Sequence, residues 1–204
     1  MIDPRPLFPA QAAAYALPQP VLGLNVVDVI LGDDLTGPVP YGLIVREADG
    51  SFTVSIRGTD DTVEWVEDFD VEPVDTSVGT MARGIAVTFG SLRTSSGRPL
   101  PAYAPARVQG HSRGAPIALA LSAAFGWPAV LYACPKLVGA DVIAKAKIDT
   151  VWHVNGDIVP DVSPTFPGLP NVVRIPPPPG IGLLDVSGHH VFSTYQAAIN
   201  ATLT

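Results

Sequence analysis

The feature that most constrains this chain is the segment Gly110–Gly114, which reads Gly-His-Ser-Arg-Gly. A short β-prone run, Ala106–Gln109, precedes it, and a helix-compatible run of small residues, Ile117–Phe125, follows it. A serine on a sharp strand-to-helix turn needs glycines two residues before and after it, because Cβ atoms there would clash. Such a turn presents the Ser112 hydroxyl beyond the sheet, beside the partly positive N–H groups of the helix. The pattern fits a nucleophilic serine or an ordinary glycine-rich turn, and the flanking segments favour the nucleophile.

The composition is that of a packed protein. Of 204 residues, 47% are hydrophobic and 15% are charged, so we expect a single domain, residues 1–204, with a sizeable core. The net charge of −7 disfavours nucleic acid and anionic membrane surfaces as main partners. The uncharged stretch from Gly114 to Pro135 contains Pro116, Gly126 and Pro128, which indicates a core helix and strand rather than a membrane span.

The N-terminus carries no basic-then-apolar signal pattern. We therefore expect a soluble protein, which is either cytoplasmic or secreted after processing. The single cysteine, Cys134, excludes an internal disulfide and fits a plain buried thiol.

The periodicity of apolar residues predicts an alternation of strands and helices. The predicted helices are Ala10–Leu17, Thr62–Val71, Gly84–Arg93, Ile117–Phe125, Ala140–Lys147 and a last helix ending near Ala201. The predicted strands are Tyr41–Glu47, Ser51–Arg57, Ala106–Gln109, Ala129–Ala133, Thr150–Val154 and Val172–Ile175, while Val21–Leu31 fits either a helix or a strand. Asp49-Gly50 predicts a hairpin between the first two strands. The later alternation predicts an α/β fold, with a mostly parallel sheet and helices on both faces.

A serine nucleophile needs a base, and histidine is the usual one because its pKa lies near neutrality. The chain has four histidines. His111 adjoins the serine and should point elsewhere, and His153 lies within a predicted strand and should pack in the core. His189 and His190 lie in a late loop that can fold back, so they are the candidate bases.

A carboxylate must hold the base in the right tautomer and stabilise its protonated form. Asp157 and Asp161 both follow the strand that ends at Val154, and the carboxyl ends of parallel strands are where ligands bind in open α/β sheets. Either choice gives the chain order Ser, Asp, His, which is the order of the α/β-hydrolases.

An oxyanion hole needs two donors. The backbone N–H of Arg113 follows the serine, and the Gly58-Thr59 turn at an earlier strand end can supply the second. A thiol nucleophile is the weaker alternative, because Cys134 lies in an apolar run with no evident activating base.

Seven segments in order resemble the class 3 lipase family, the fungal-lipase-like branch of the α/β-hydrolases, over about residues 40–200. The matches are Ser55–Thr59 with the family's FRGT strand end, Trp65–Asp68 with DWxxD, Gly84–Leu92 with GFxxxxxSL, Gly110–Ala115 with GHSLGG, Pro135–Gly139 with PRVG, Asn155–Pro160 with NxxDxVP and His190–Tyr195 with HxxxxY. Each segment is weakly specific alone, and their order makes the resemblance specific.

The resemblance implies an α/β-hydrolase fold and a triad of Ser112, Asp157 and His190. His190 is preferred to His189 because the family's tyrosine follows five residues later, where this chain has Tyr195. Thr59 and Arg113 would then supply the oxyanion donors, as the resemblance implies. It implies no metal or other cofactor.

The implied activity is hydrolysis of carboxylic esters through an acyl-enzyme, on acylglycerols or short-to-medium acyl esters. The implied partner is a small-molecule ester or lipid, with at most transient contact with a lipid surface and no obligate protein partner. The alternatives are a phospholipase or amidase with the same triad, or a non-catalytic binding protein with a hydrolase fold.

The chain departs from the family pattern around the serine. Arg113 stands where leucine is usual, and Ala115 stands where a second glycine is usual. No long amphipathic segment between Thr59 and Ser112 suggests a lid, which weakens any expectation of interfacial activation.

Overall fold

The computed structural model of the chain describes residues 3–17, 23–34, 37–58, 70–161, 163–182, 185, 188 and 190–203. Helices α1 to α5 are Phe8–Ala16, Arg83–Ser91, Gly114–Phe125, Ala140–Lys145 and Phe192–Thr202. Strands β1 to β10 are Val26–Asp34, Gly37–Arg46, Phe52–Ile56, Pro73–Asp75, Thr80–Ala82, Arg93–Thr94, Arg107–His111, Pro128–Tyr132, Lys147–Val154 and Val172–Ile175. Short 3-10 helices lie at Arg5–Leu7, Leu100–Tyr103 and Val159–Asp161.

The main sheet is parallel over most of its width. Strands β10, β9, β8, β7 and β3 lie side by side in that order, and each neighbouring pair is parallel. Strands β2, β1 and β6 continue the sheet beyond β3 in antiparallel pairs. The predicted hairpin joins β2 to β3, so β3 belongs both to the hairpin and to the parallel set. The predicted α/β-hydrolase fold, mostly parallel with an N-terminal hairpin, is confirmed.

Helices cover both faces of this sheet. Successive side chains of a strand point to opposite faces, and here apolar side chains on both faces pack against helices. Val130 and Tyr132 of β8 pack in one cluster with residues of α1 and α5. Ala129 and Leu131 of the same strand pack in the larger cluster with α2, α3 and α4. The first nine residues of α3, Gly114 to Ser122, are all buried, as expected of a helix that is apolar on every side.

The structure resolves one run that the sequence left open and shortens one predicted helix. The ambiguous run Val21–Leu31 contains most of β1, which pairs with β2 on one side and β6 on the other. The predicted helix Ala140–Lys147 ends at Lys145, because Lys147 begins β9 opposite Pro128 and donates its backbone N–H to a side chain of α3.

The predicted helix Thr62–Val71 falls largely on residues 59–69, which lie outside the described residues. The same holds for the resembling segment Trp65–Asp68. Within the described part of the chain, the helices are all too short or too polar to cross a membrane.

Candidate active site

Ser112 lies on the turn between β7 and α3, with its backbone in the left-handed region at φ 56°. A residue other than glycine adopts this conformation only where the surrounding structure enforces it. A Cβ on Gly110 would lie 2.3 Å from the carbonyl oxygen of Gly114, and a Cβ on Gly114 would lie 2.5 Å from the carbonyl oxygen of Ile56. The prediction that both glycines are needed because a Cβ would clash is therefore confirmed.

The structure brings Ser112, His190 and Asp157 together. Nε2 of His190 lies 2.8 Å from Oγ of Ser112, and its Nδ1 lies 2.9 Å from Oδ2 of Asp157. The three residues are at most 5% exposed. A carboxylate accepts hydrogen bonds only, so Nδ1 of His190 carries the proton and Nε2 accepts the hydroxyl proton of Ser112. This is the hydrogen-bond pattern that lets a histidine take a proton from a serine.

Asp157 follows the carboxyl end of β9 and is held by groups from two elements. The hydroxyl of Tyr195, on α5, donates to its Oδ2 at 2.7 Å, and the backbone N–H of Val159 donates to its Oδ1 at 3.0 Å. Burial acts to raise the pKa of Asp157, but the hydrogen bonds from His190, Tyr195 and Val159 lower it below its ordinary value. Asp157 is therefore an anion at neutral pH.

The other candidate acid lies elsewhere. Asp161 forms ion pairs with Lys136 at 2.8 Å and with Arg174 at 3.7 Å. Its carboxylate is half exposed and neutralised by those partners, whereas Asp157 contacts the imidazole.

The remaining candidates for the nucleophile and the base are Cys134, His153 and His189. Burial raises the pKa of the Cys134 thiol, which therefore stays protonated and is a poor nucleophile. His153 is buried in β9 as expected, and burial, followed by the charge of Arg174, lowers its pKa to about 4. His189 lies outside the described residues, so its comparison with His190 stays a sequence-based preference.

The candidate oxyanion donors are described in part. Arg113 directly precedes the first turn of α3, where helix N–H groups carry partial positive charge. Thr59 lies outside the described residues. The preceding residue, Gly58, donates its backbone N–H to the hydroxyl of Tyr15 at 3.0 Å, so that N–H is already engaged. A Cβ on Gly58 would lie 2.8 Å from the Cβ of Ser112, which makes glycine a requirement there.

The side chain of Arg113 runs toward α2. Its Nη2 donates to Oγ1 of Thr88 at 2.8 Å, and its guanidinium carbon lies 5.7 Å from the ring centroid of Tyr41. Replacement of the usual leucine by arginine therefore adds a polar link between the serine turn and α2.

Sequence reasoning missed His111 and Tyr15 as neighbours of the site. His111 was expected to point elsewhere, but its ring centroid lies 5.1 Å from that of His190, and Tyr15 bonds to its Nδ1 at 2.5 Å. Tyr15 lies on a helix whose sequence pattern predicts only packing. No local signal could identify a contact between residues 96 positions apart.

Among the residues that the structure describes, no group of three or more histidine, cysteine or acidic side chains could hold a metal ion. What converges at the carboxyl edge of the sheet is therefore a hydroxyl, an imidazole and a carboxylate.

No protein-family model matches the sequence, and the search of curated proteins finds no match. Solved fungal lipases match the structure. The native Rhizomucor miehei lipase propeptide complex has 17% identity and a TM-score of 0.63, over 84% of this chain and 67% of that one. Lipase II from Rhizopus niveus has 15% identity and a TM-score of 0.62, over 84% and 78%. A triacylglycerol lipase from Penicillium expansum has 16% identity and a TM-score of 0.57, over 92% and 90%.

These likenesses show the fold. The chain has a fungal-lipase-like fold, and the predicted resemblance to class 3 lipases is confirmed at that level. It spans only 51% of a second Rhizomucor miehei lipase propeptide complex, which is a deletion mutant.

Proposed function

We propose that the chain is a carboxylic ester hydrolase whose catalytic residues are Ser112, His190 and Asp157. The observation that carries the proposal is the position of His190, with one ring nitrogen 2.8 Å from the serine hydroxyl and the other 2.9 Å from a buried carboxylate. The strained backbone of Ser112 at the carboxyl edge of the sheet is a second support, because strain of this kind clusters at active sites. The fungal-lipase-like fold is a third, at the level of analogy.

In the proposed mechanism, Oγ of Ser112 attacks the acyl carbon of the ester while Nε2 of His190 takes the hydroxyl proton. The tetrahedral oxyanion is stabilised by the backbone N–H of Arg113 and by a second donor, for which Thr59 is the candidate. His190 then gives its proton to the departing alkoxide, and an acyl-enzyme is left on Ser112. Water, deprotonated by the same imidazole, releases the acid. Asp157 stays ionised throughout and stabilises the imidazolium.

Two exposed apolar side chains flank the proposed site and favour an acyl substrate. Ile158, next to Asp157, is 52% exposed, and Val191, next to His190, is 42% exposed. Apolar groups beside a nucleophile can bind a hydrocarbon chain at the gain that burial of apolar surface provides. We therefore propose acylglycerols or short-to-medium acyl esters as substrates, with at most transient contact with a lipid surface. The matched Penicillium expansum protein is itself a triacylglycerol lipase.

The proposal is tested with p-nitrophenyl esters of increasing acyl length and with a p-nitroanilide of the best acyl group. We expect ester turnover that falls by ~10^4 or more in Ser112→Ala and in His190→Ala, because triad members act as a unit. His189→Ala is the matched control and should retain most of the activity. Cleavage of the anilide at a rate comparable with the ester would indicate an amidase. A folded parent protein without turnover of any of these substrates would contradict the proposal and favour a binding protein.

A further inference from the structure

His111 lies between the N-terminal helix and the proposed base. Its Nε2 lies 2.8 Å from the backbone carbonyl oxygen of His190, and its Nδ1 lies 2.5 Å from the hydroxyl of Tyr15. That hydroxyl accepts the backbone N–H of Gly58 at 3.0 Å. A continuous hydrogen-bonded chain therefore runs from the turn after β3, through α1 and β7, to His190, just before α5.

The position of every proton in this chain follows from its ends. A carbonyl oxygen can only accept, so Nε2 of His111 carries the ring proton and donates it to His190. Nδ1 of His111 must then accept, which makes the hydroxyl of Tyr15 the donor. The same hydroxyl oxygen accepts from Gly58. One neutral tautomer of His111 satisfies all of these bonds at once.

The neutral state of His111 is maintained by its surroundings. Burial, and then the nearby His190, lowers the pKa of His111 to about 3. The two imidazole rings are tilted by 33° with their centroids 5.1 Å apart. A cationic His111 would repel the imidazolium that forms on His190, whereas a neutral ring does not. The hydrogen bonds of Tyr15 and His111 therefore keep the same donors and acceptors across the pH range in which a histidine base works.

The residues at both ends of this hydrogen-bonded chain lie close to Ser112. Gly58 lies against the serine itself, where even a methyl group would clash, and it directly precedes Thr59, the candidate oxyanion donor. His190 supplies the candidate base. Resting on the hydrolase function proposed above, we propose that Tyr15 and His111 are positioning residues. They hold the backbone of the base and the backbone of Gly58 in one fixed relation to the nucleophile.

The consequence is specific to catalysis. A base displaced by a fraction of an ångström still binds substrate beside it but takes the serine proton less well. Loss of these hydrogen bonds should therefore lower kcat and leave KM nearly unchanged. A purely structural role would lower thermal stability and leave kcat per folded molecule intact.

The test compares Tyr15→Phe, which removes only the hydroxyl, with Tyr103→Phe. Tyr103 is a matched control because its buried hydroxyl also donates within the fold, to the carboxylate of Asp28 near β6. We expect Tyr15→Phe to lower kcat about tenfold, the factor that one hydrogen bond is worth. The Tyr103→Phe variant should lose stability but keep the parent kcat once the folded fraction is measured.

A second pair of variants separates the roles of His111. Leucine at this position, His111→Leu, removes both bonds, while His111→Gln keeps one donor and one acceptor and should recover part of the lost kcat. Adding Tyr15→Phe to His111→Leu should cost little more, because both changes break the same chain.

The proposal is overturned if Tyr15→Phe keeps the parent kcat. It is also overturned if the double variant loses as much kcat as Tyr15→Phe and His111→Leu together. The reaction rate of the parent Ser112 with a fluorophosphonate, measured alongside, distinguishes the two levels of failure. A parent protein that does not react contradicts the hydrolase function itself. A parent that reacts, with Tyr15→Phe reacting equally fast, contradicts only the positioning role.

Discussion

Replacement of Asp157 by asparagine is the sharpest perturbation of the proposed site. Both carboxylate oxygens accept hydrogen bonds, Oδ1 from the N–H of Val159 and Oδ2 from His190 and Tyr195. Asparagine has the same shape, but it offers one acceptor oxygen and an NH2 group that can only donate. One of the two oxygen positions must therefore become a donor.

The backbone N–H of Val159 determines which of the two oxygen positions takes the NH2 group. An NH2 group at the Oδ1 position would face the N–H of Val159, donor against donor, and would leave both groups unsatisfied in a buried place. The amide oxygen therefore takes that position, and the NH2 group faces Nδ1 of His190. Nδ1 must then accept, so the imidazole proton moves to Nε2. In that tautomer His190 cannot take the proton of Ser112.

The expected cost is that of a base in the wrong tautomer, a loss of about 10^4 in kcat/KM, which corresponds to ~5.5 kcal/mol. Tyr195→Phe is the matched control, because it removes a donor to the same oxygen and leaves the tautomer unchanged. Its expected loss is about tenfold. The assay is kcat/KM for a p-nitrophenyl ester, with circular dichroism to confirm that each variant is folded. A folded Asp157→Asn variant that stays within tenfold of the parent would contradict this tautomer switch. A larger loss of activity in Tyr195→Phe than in Asp157→Asn would contradict it as well.

Four further outcomes follow from single sites. Gly58→Ala should fold but lose at least about tenfold in kcat, since its methyl group would lie 2.8 Å from both the Cβ of Ser112 and the hydroxyl of Tyr15; parent-like kcat would contradict these contacts. Asp28→Asn should lower the free energy of unfolding by about 2 kcal/mol in urea titrations at pH 7, because hydrogen bonds from two serines and a tyrosine lower the pKa of Asp28 against the effect of burial. That stabilisation is present above the ordinary pKa of 3.8 and is lost as pH falls below it, so the parent and variant stabilities should converge in acid. Cys134→Ser should keep parent kcat, and a large loss would reopen the thiol alternative. Asp161→Asn should cost at most about 1 kcal/mol of stability and leave kcat unchanged, as expected of exposed ion pairs.

Much of this fold could be predicted because local sequence and tertiary packing agree. The Asp49-Gly50 turn fixes the hairpin whatever packs on it, and the predicted strand Val172–Ile175 has the observed bounds. The run Val21–Leu31 could not be resolved from its sequence. Its apolar residues fit either period, and only the pairing of β1 with β2 and β6 makes the part from Val26 onward a strand.

The candidate site likewise has some features that the local sequence predicts and others that depend on distant residues. The glycine spacing around Ser112 is a local steric requirement, and it could be predicted from the sequence alone. Position after the same strand left both Asp157 and Asp161 as candidates, and only the resemblance to class 3 lipases favoured Asp157. Their roles differ only through distant partners, His190 and Tyr195 for one and Lys136 and Arg174 for the other.

Contacts between distant segments set the rest. Tyr15 reaches the site because α1 packs against β2 and β3, and no pattern within α1 encodes which strand end it will meet. The contact of the Arg113 side chain with Thr88 on α2 likewise joins residues that are distant in the sequence.

The central claim is that the hydroxyl of Ser112 is a nucleophile activated by His190. Peptide mass spectrometry of the protein after treatment with a fluorophosphonate tests it most directly, because the probe adds covalently to an activated serine. We expect a single modified peptide carrying the adduct on Ser112, absent in Ser112→Ala and strongly reduced in His190→Ala. An unmodified Ser112 in folded protein, or an adduct on another residue that persists in Ser112→Ala, would contradict it.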